Sequence, residues 1–268
     1  MSLDKNHVFQ RTLMIALISV LALGLMSCGG DDDSPTDPAG GGGGGNPTAF
    51  DQATAVTQAQ VAAPQAVSLV ESMTVLAGGL SKANDGDYGW NPDTERWEWH
   101  YVYSAEGINY DWTYYVQYLD GDGNAQESAM DAVTINHEMM GVGTYHLEQD
   151  GSTFHQDYEY TYNTSITGMG SDILVMTGDG SWDISFDYQS PEGNYANDYE
   201  VSWHTLAPGI SVPANGGCPV GTIRYEFDPY YSDVVFNGTA TATSTLYDSD
   251  DNVVPGGSDT HALSCGPL

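Results

Sequence analysis

Aromatic side chains at every second position constrain this chain more than any other feature. "RWEWHYVYS" puts Trp97, Trp99, Tyr101 and Tyr103 on one side, and Glu98, His100 and Val102 on the other. "YDWTYYVQYL" aligns Tyr110, Trp112, Tyr114, Val116 and Tyr118 in the same way. "FHQDYEYTY" aligns Phe154, Tyr158, Tyr160 and Tyr162; "WDISFDY" aligns Trp182, Ile184, Phe186 and Tyr188; "YANDYEVSWHT" aligns Tyr195, Tyr199, Val201 and Trp203. Side chains alternate across a strand, so this spacing predicts antiparallel strands with one buried and one wet face. Turn signals fall between them at Asp120-Gly121, Asp150-Gly151, Gly178-Asp179-Gly180 and Pro191-Glu192-Gly193. Further strands are expected at Gly221–Phe227, Val234–Asn237 and Ala240–Tyr247.

The pattern gives about nine to eleven sequential strands with no helix signal between them, and sequential antiparallel strands usually pair as neighbours. A sheet that wide must curl, close or split. The expected fold is therefore mainly β: a wide antiparallel meander curled into a barrel or half-barrel, with a β-sandwich as the alternative. Residues 48–89 precede it as a helical segment packed on the sheet, and residues 90–268 form the β region of the same domain. From Gln65 the apolar residues Ala66, Leu69, Val70, Met73, Leu76, Ala77 and Leu80 recur at helical spacing. Pro64 is expected to separate this helix from a weaker one over residues 50–63, because proline suits a first turn and breaks a helix interior.

The front of the chain is of another kind. Lys5 and Arg11 precede the apolar run Leu13–Leu25, thirteen residues that are too short for a bilayer core needing roughly 20. Next comes Leu25-Met26-Ser27-Cys28, an aliphatic residue, a tolerant position, a small residue and a cysteine. This resembles the lipobox of bacterial lipoproteins. The resemblance implies that residues 1–27 are a signal peptide and that Cys28 carries acyl chains such as palmitate as the mature N-terminus. It implies a bacterial envelope location, at the outer membrane or cell surface. Residues 28–47, "CGGDDDSPTDPAGGGGGGNP", have almost nothing to bury and are expected to be a disordered tether.

Residues 1–27 hold two of the five basic and one of the 37 acidic residues, which leaves three basic against 36 acidic, a net charge of −33. Such a chain has no basic patch with which to displace counterions, so nucleic acid and polyanions are excluded as partners. With Cys28 assigned to the anchor, Cys218 and Cys265 remain, and an exported pair of cysteines predicts a disulfide.

Two sites suit metals. If Asp150-Gly151 is a two-residue turn, His146 faces His155 across the hairpin with Glu148 and Asp157 on the same face, a set able to bind zinc or copper. Asp120, Asp122, Asn124 and Asp131 fall at positions 1, 3, 5 and 12 of a calcium loop. That loop resembles an EF-hand but has Ala125 where glycine is expected and no flanking helices. Asp248, Asp250, Asp251 and Asn252 form a similar turn, which suits plain turn chemistry. No GxSxG, HExxH or phosphate loop is present, and His137-Glu138 stands alone. Eighteen tyrosines and six tryptophans could stack sugars, but their period of two is what a core face needs. The chain thus reads as a tethered, non-catalytic envelope lipoprotein, a binding or structural module. The alternatives are a carrier of a small apolar ligand inside the curled sheet, and a metal-assisted or carboxylate-based hydrolase of envelope polymers.

Overall fold

A computed structural model describes residues 49–77, 88–105, 107–149, 151–191 and 193–265. The signal segment, Cys28, the tether, Leu80, and Asp150 and Glu192 of the expected turns lie outside them. One helix, α1 (Gln52–Ala77), comes first. Thirteen strands are described: β1 (Tyr88–Asn91), β2 (Arg96–Ala105), β3 (Ile108–Leu119), β4 (Ala125–Gln126), β5 (Thr134–Gln149), β6 (Ser152–Thr167) and β7 (Ile173–Ser190), followed by β8 (Gly193–Thr205), β9 (Ile210–Pro213), β10 (Val220–Phe227), β11 (Tyr230–Asn237), β12 (Thr241–Tyr247) and β13 (Val253–Ala262).

All of them belong to one antiparallel sheet; eleven follow the order β1-β2-β3-β5-β6-β7-β8-β10-β11-β12-β13, β4 pairs with the end of β3, and β9 lies off the path. The meander expectation holds, and a single sheet replaces the sandwich alternative. The path begins at β1 and ends at β13, and among the described residues those two do not pair, so the sheet is open at its ends. The short strand β9 pairs with the start of β7 (Met176↔Ile210) and with β10 (Val220↔Ser211). It therefore occupies the same lane between β7 and β10 as β8, which pairs with β7 at Asp179↔His204 and with β10 at Ile223↔Thr205. Residues 206–209 bulge out between the two halves of that lane.

The inner face collects the alternating residues. Tyr118, Ile135, Ile166, Met176, Trp203, Tyr225, Val234 and Leu246 are all buried there. α1 packs on this face against β10–β13. Its buried side chains are small: Ala55, Ala59, Ala62, Ala63 and Ala66, then Val67 and Val70. Small residues let the helix approach the sheet closely. Phe50, just before it, packs against Tyr199 with ring centroids 4.5 Å apart and planes tilted by 37°, and its N–H donates to the Asp228 carbonyl. Asp51 caps the helix by accepting the Thr54 N–H at 2.7 Å.

α1 runs unbroken through Pro64, contrary to the expected division. The proline and Gln60 both face solvent, so water can take the carbonyl that loses its helical partner. Gly178-Asp179-Gly180 is likewise not a turn but the middle of β7. A Cβ at Gly178 would strike the Asn163 carbonyl, and one at Gly180 the Trp203 indole nitrogen. These glycines admit close neighbours instead of reversing the chain. Cys218 and Cys265 form the expected disulfide, tying the segment before β10 to the end of β13.

Candidate functional site

The outer face is the polar one, and register decides what it presents. Tyr115, Glu138, Asn163, Asp179 and His204 lie directly opposite one another on β3, β5, β6, β7 and β8. Gln117, Asn136, Ser165 and Thr177 form the adjacent outward row on β3, β5, β6 and β7. The two rows floor a groove of about 780 Å³. Thr94 and Arg96 wall one end, and the bulged Ala207-Pro208-Gly209 walls the other.

At the first wall, Arg96 is spent internally. Its guanidinium donates to Glu138 at 3.0 Å, approaches Glu98 at 3.4 Å and covers the Tyr115 ring at 3.6 Å. Glu98 is held below the usual carboxylate range, chiefly by hydrogen bonds from Thr94 and Asn91 and then by Arg96. Along the floor, Gln117 Oε1 accepts from Asn136 Nδ2 at 3.4 Å, and Gln117 Nε2 donates to the Glu95 carbonyl. The groove is thus lined by amides, hydroxyls, one imidazole and two carboxylates. Asp179 is exposed, and Glu138 is half-buried and held by Arg96, so the groove offers hydrogen bonds together with negative charge.

Two outward rows further along the same strands, a second groove of about 420 Å³ is acidic, with Asp157, Glu159, Asp183 and Asp198 in its walls. Glu159 and Glu200 each sit directly opposite Asp183. Like charges so placed are destabilising.

His146 does face His155 in the predicted register, with Glu148↔Thr153 and Gln149↔Ser152 beside it. The rings are 5.9 Å apart. Each Nε2, however, turns to a carboxylate of its own strand: His146 to Glu148 at 3.3 Å, and His155 to Asp157 at 3.0 Å. The nitrogens point in opposite directions along the hairpin. In the Asp120 loop, the first carboxylate accepts the backbone N–H groups of Asp122 (2.9 Å) and Asn124 (2.8 Å). These bonds hold its pKa below the usual value, Asn124 contributing most. Asp131 belongs to a separate turn with φ of 65°. Asp248 repeats the arrangement with Asp250 and Asn252. Among the described residues no group of three His, Cys, Asp or Glu side chains converges as a metal site.

His137 and Glu138 part company. Glu138 joins the groove, while His137 is buried on the inner face between Tyr114 and Tyr162, ring centroids 4.4 and 5.0 Å away. Burial lowers its pKa to about 3, so it is neutral. Tyr162 beside it is pushed up to about 12 by burial.

The groove residues Gln117, Asn136, Asn163, Ser165 and Thr177 do not stand out in the linear sequence. Their one signal is that they put neutral polar groups at outward positions of their strands. Searches against protein-family models, curated proteins and solved structures find no match to this chain.

Proposed function

We propose that this protein is a lipid-anchored envelope protein that works by binding, without catalysis, through the polar groove on the outer face of its sheet. The anchor rests on Leu25–Cys28 and the run before it. Several acyl chains on one cysteine give firm attachment, since each buried methylene contributes about 0.8 kcal/mol. The tether of residues 28–47 gives the folded part a reach of very roughly 25 Å. The observation that carries the binding role is the groove itself: about 780 Å³, in the range of ligand sites, floored by two registered rows of polar side chains.

Neither rival gains a comparable observation. An apolar carrier calls for a cavity lined by Tyr, Trp and Met, and neither groove is lined by Trp or Met. A metal hydrolase calls for converging ligands, and the His146–His155 pair does not converge.

Two measurements test the proposal. Intact mass of detergent-extracted protein should show an acylated N-terminal Cys28, and Cys28→Ala should release the protein from membranes; an unmodified thiol removes the anchor. Solubilised envelope polymer should bind the mature protein and lose affinity to Asn163→Leu. Equal binding by wild type and variant places the working surface elsewhere.

A further inference from the structure

The two floor rows run perpendicular to the strands, so each strand contributes one step. β3 offers Tyr115 and Gln117, β5 Glu138 and Asn136, β6 Asn163 and Ser165, β7 Asp179 and Thr177, and β8 His204. Neighbouring strands are about 4.8 Å apart, which makes five strands a track of roughly 19 Å. This is a polar floor with a step of nearly constant length. Its chemistry is mixed at every step, because amides and hydroxyls both donate and accept. Asn163, Ser165, Thr177, Asp179 and His204 have no side-chain hydrogen-bond partner among the described residues, so their capacity is open to a ligand. Arg96 is not open in this way, since Glu138, Glu98 and Tyr115 occupy it, and Gln117 and Asn136 spend part of their capacity on each other and on the Glu95 carbonyl.

A ligand that fits must be a linear chain rich in groups that donate and accept, and it must carry no negative charge. Asp179 and the chain's net charge repel polyanions. A peptide in extended form gains its bonds by joining a sheet edge, whereas this track crosses the middle of the sheet. A glycan chain meets every requirement: each hexose lengthens it by about one strand spacing, roughly 5 Å, and presents several hydroxyls per step. We infer that the groove is a binding track for an uncharged oligosaccharide of about four units, laid across β3–β8 with one sugar per strand-to-strand step. This inference rests on the binding role proposed above and names its ligand class.

Calorimetry of the mature protein with neutral oligosaccharide ladders of one to about six units tests it. Suitable ladders are β-linked glucose, β-linked N-acetylglucosamine and α-linked mannose. The expected result is binding in at least one ladder, with affinity rising with length to about four units and then levelling. Asn163→Leu/Thr177→Val should lower that affinity at least tenfold, and Glu159→Gln in the acidic groove should leave it unchanged. The inference is overturned if no ladder binds below about 1 mM, if binding ignores the double variant, or if only a deacetylated, cationic ladder binds. If envelope polymer still binds in a manner sensitive to Asn163→Leu while no neutral ladder does, the ligand class is wrong and the groove's binding role stands. If neither binds, both fall.

Discussion

Gly141 and Gly143 lie on β5 directly opposite Trp112 and Tyr110 of β3, and opposite Tyr160 and Tyr158 of β6. A Cβ on Gly141 would fall inside the Trp112 indole, and one on Gly143 inside the Tyr158 ring. The rings cover the glycine backbone from both sides, with Trp112 and Tyr160 meeting edge-on at 5.7 Å. The alternating aromatics therefore depend on the residues between them. Gly141→Ala and Gly143→Ala should each destabilise by about 1–3 kcal/mol, the usual cost of overpacking. Gly121→Ala, which meets nothing within 4 Å, should stay within about 0.5 kcal/mol of wild type. Urea denaturation of the three variants checks this; equal midpoints would mean that the rings move aside at no cost.

At the scale of elements, His137 shows what a strand's alternation does to chemistry. It falls on the inward side of β5, neutral and with Nε2 unpartnered among the described residues. Between the unfolded value of about 6.5 and the folded value of about 3, the unfolded chain binds a proton that the folded chain refuses. Stability is thus lost as pH falls through that window, at up to about 1.4 kcal/mol per pH unit. His137→Leu should lose less stability than wild type between pH 7 and pH 4.5 in matched urea titrations. Parallel losses would mean that His137 protonates in place. The same alternation explains what was legible in the sequence. Strands with rings at every second position, such as β2, β3 and β8, and the register of β5 on β6 follow from local pattern. β13 does not, because Pro255, Gly256 and Gly257 read as a turn. Pro255 and the register shift between β12 and β13 suit an exposed edge that must not recruit another strand. β9 is four residues long and exists only because the lane beside β7 resumes after a bulge. The groove was hidden for a related reason. Its floor residues come from five strands, and no spacing within one strand reveals that they align.

Among the described residues the two faces mostly divide the work: glycines, most of the rings and an alanine-faced helix inside, charge and polar groups outside. Tyr103 and Tyr188, expected on the buried face, are nonetheless exposed, and Tyr115, Met140 and Val142 lie on the outer one. Three basic residues among 36 acidic ones in residues 28–268 leave the outer acids facing one another, most directly at Glu159–Asp183–Glu200. Screening shortens that repulsion, so the melting temperature should rise as sodium chloride is raised from about 0.01 to about 0.5 M. A fall would mean that ion pairs such as Arg224–Asp233, at 2.8 Å, outweigh it. The division of faces is tested most directly by site-resolved NMR of the mature protein, titrated in parallel with a neutral oligosaccharide and with a long-chain fatty acid. The oligosaccharide should move signals of Asn136, Asn163, Ser165 and Thr177, and the fatty acid should leave the Trp112 and Trp203 indoles unmoved. Movement of those indoles by the fatty acid, with the outer rows silent throughout, would contradict it and make the interior the working site.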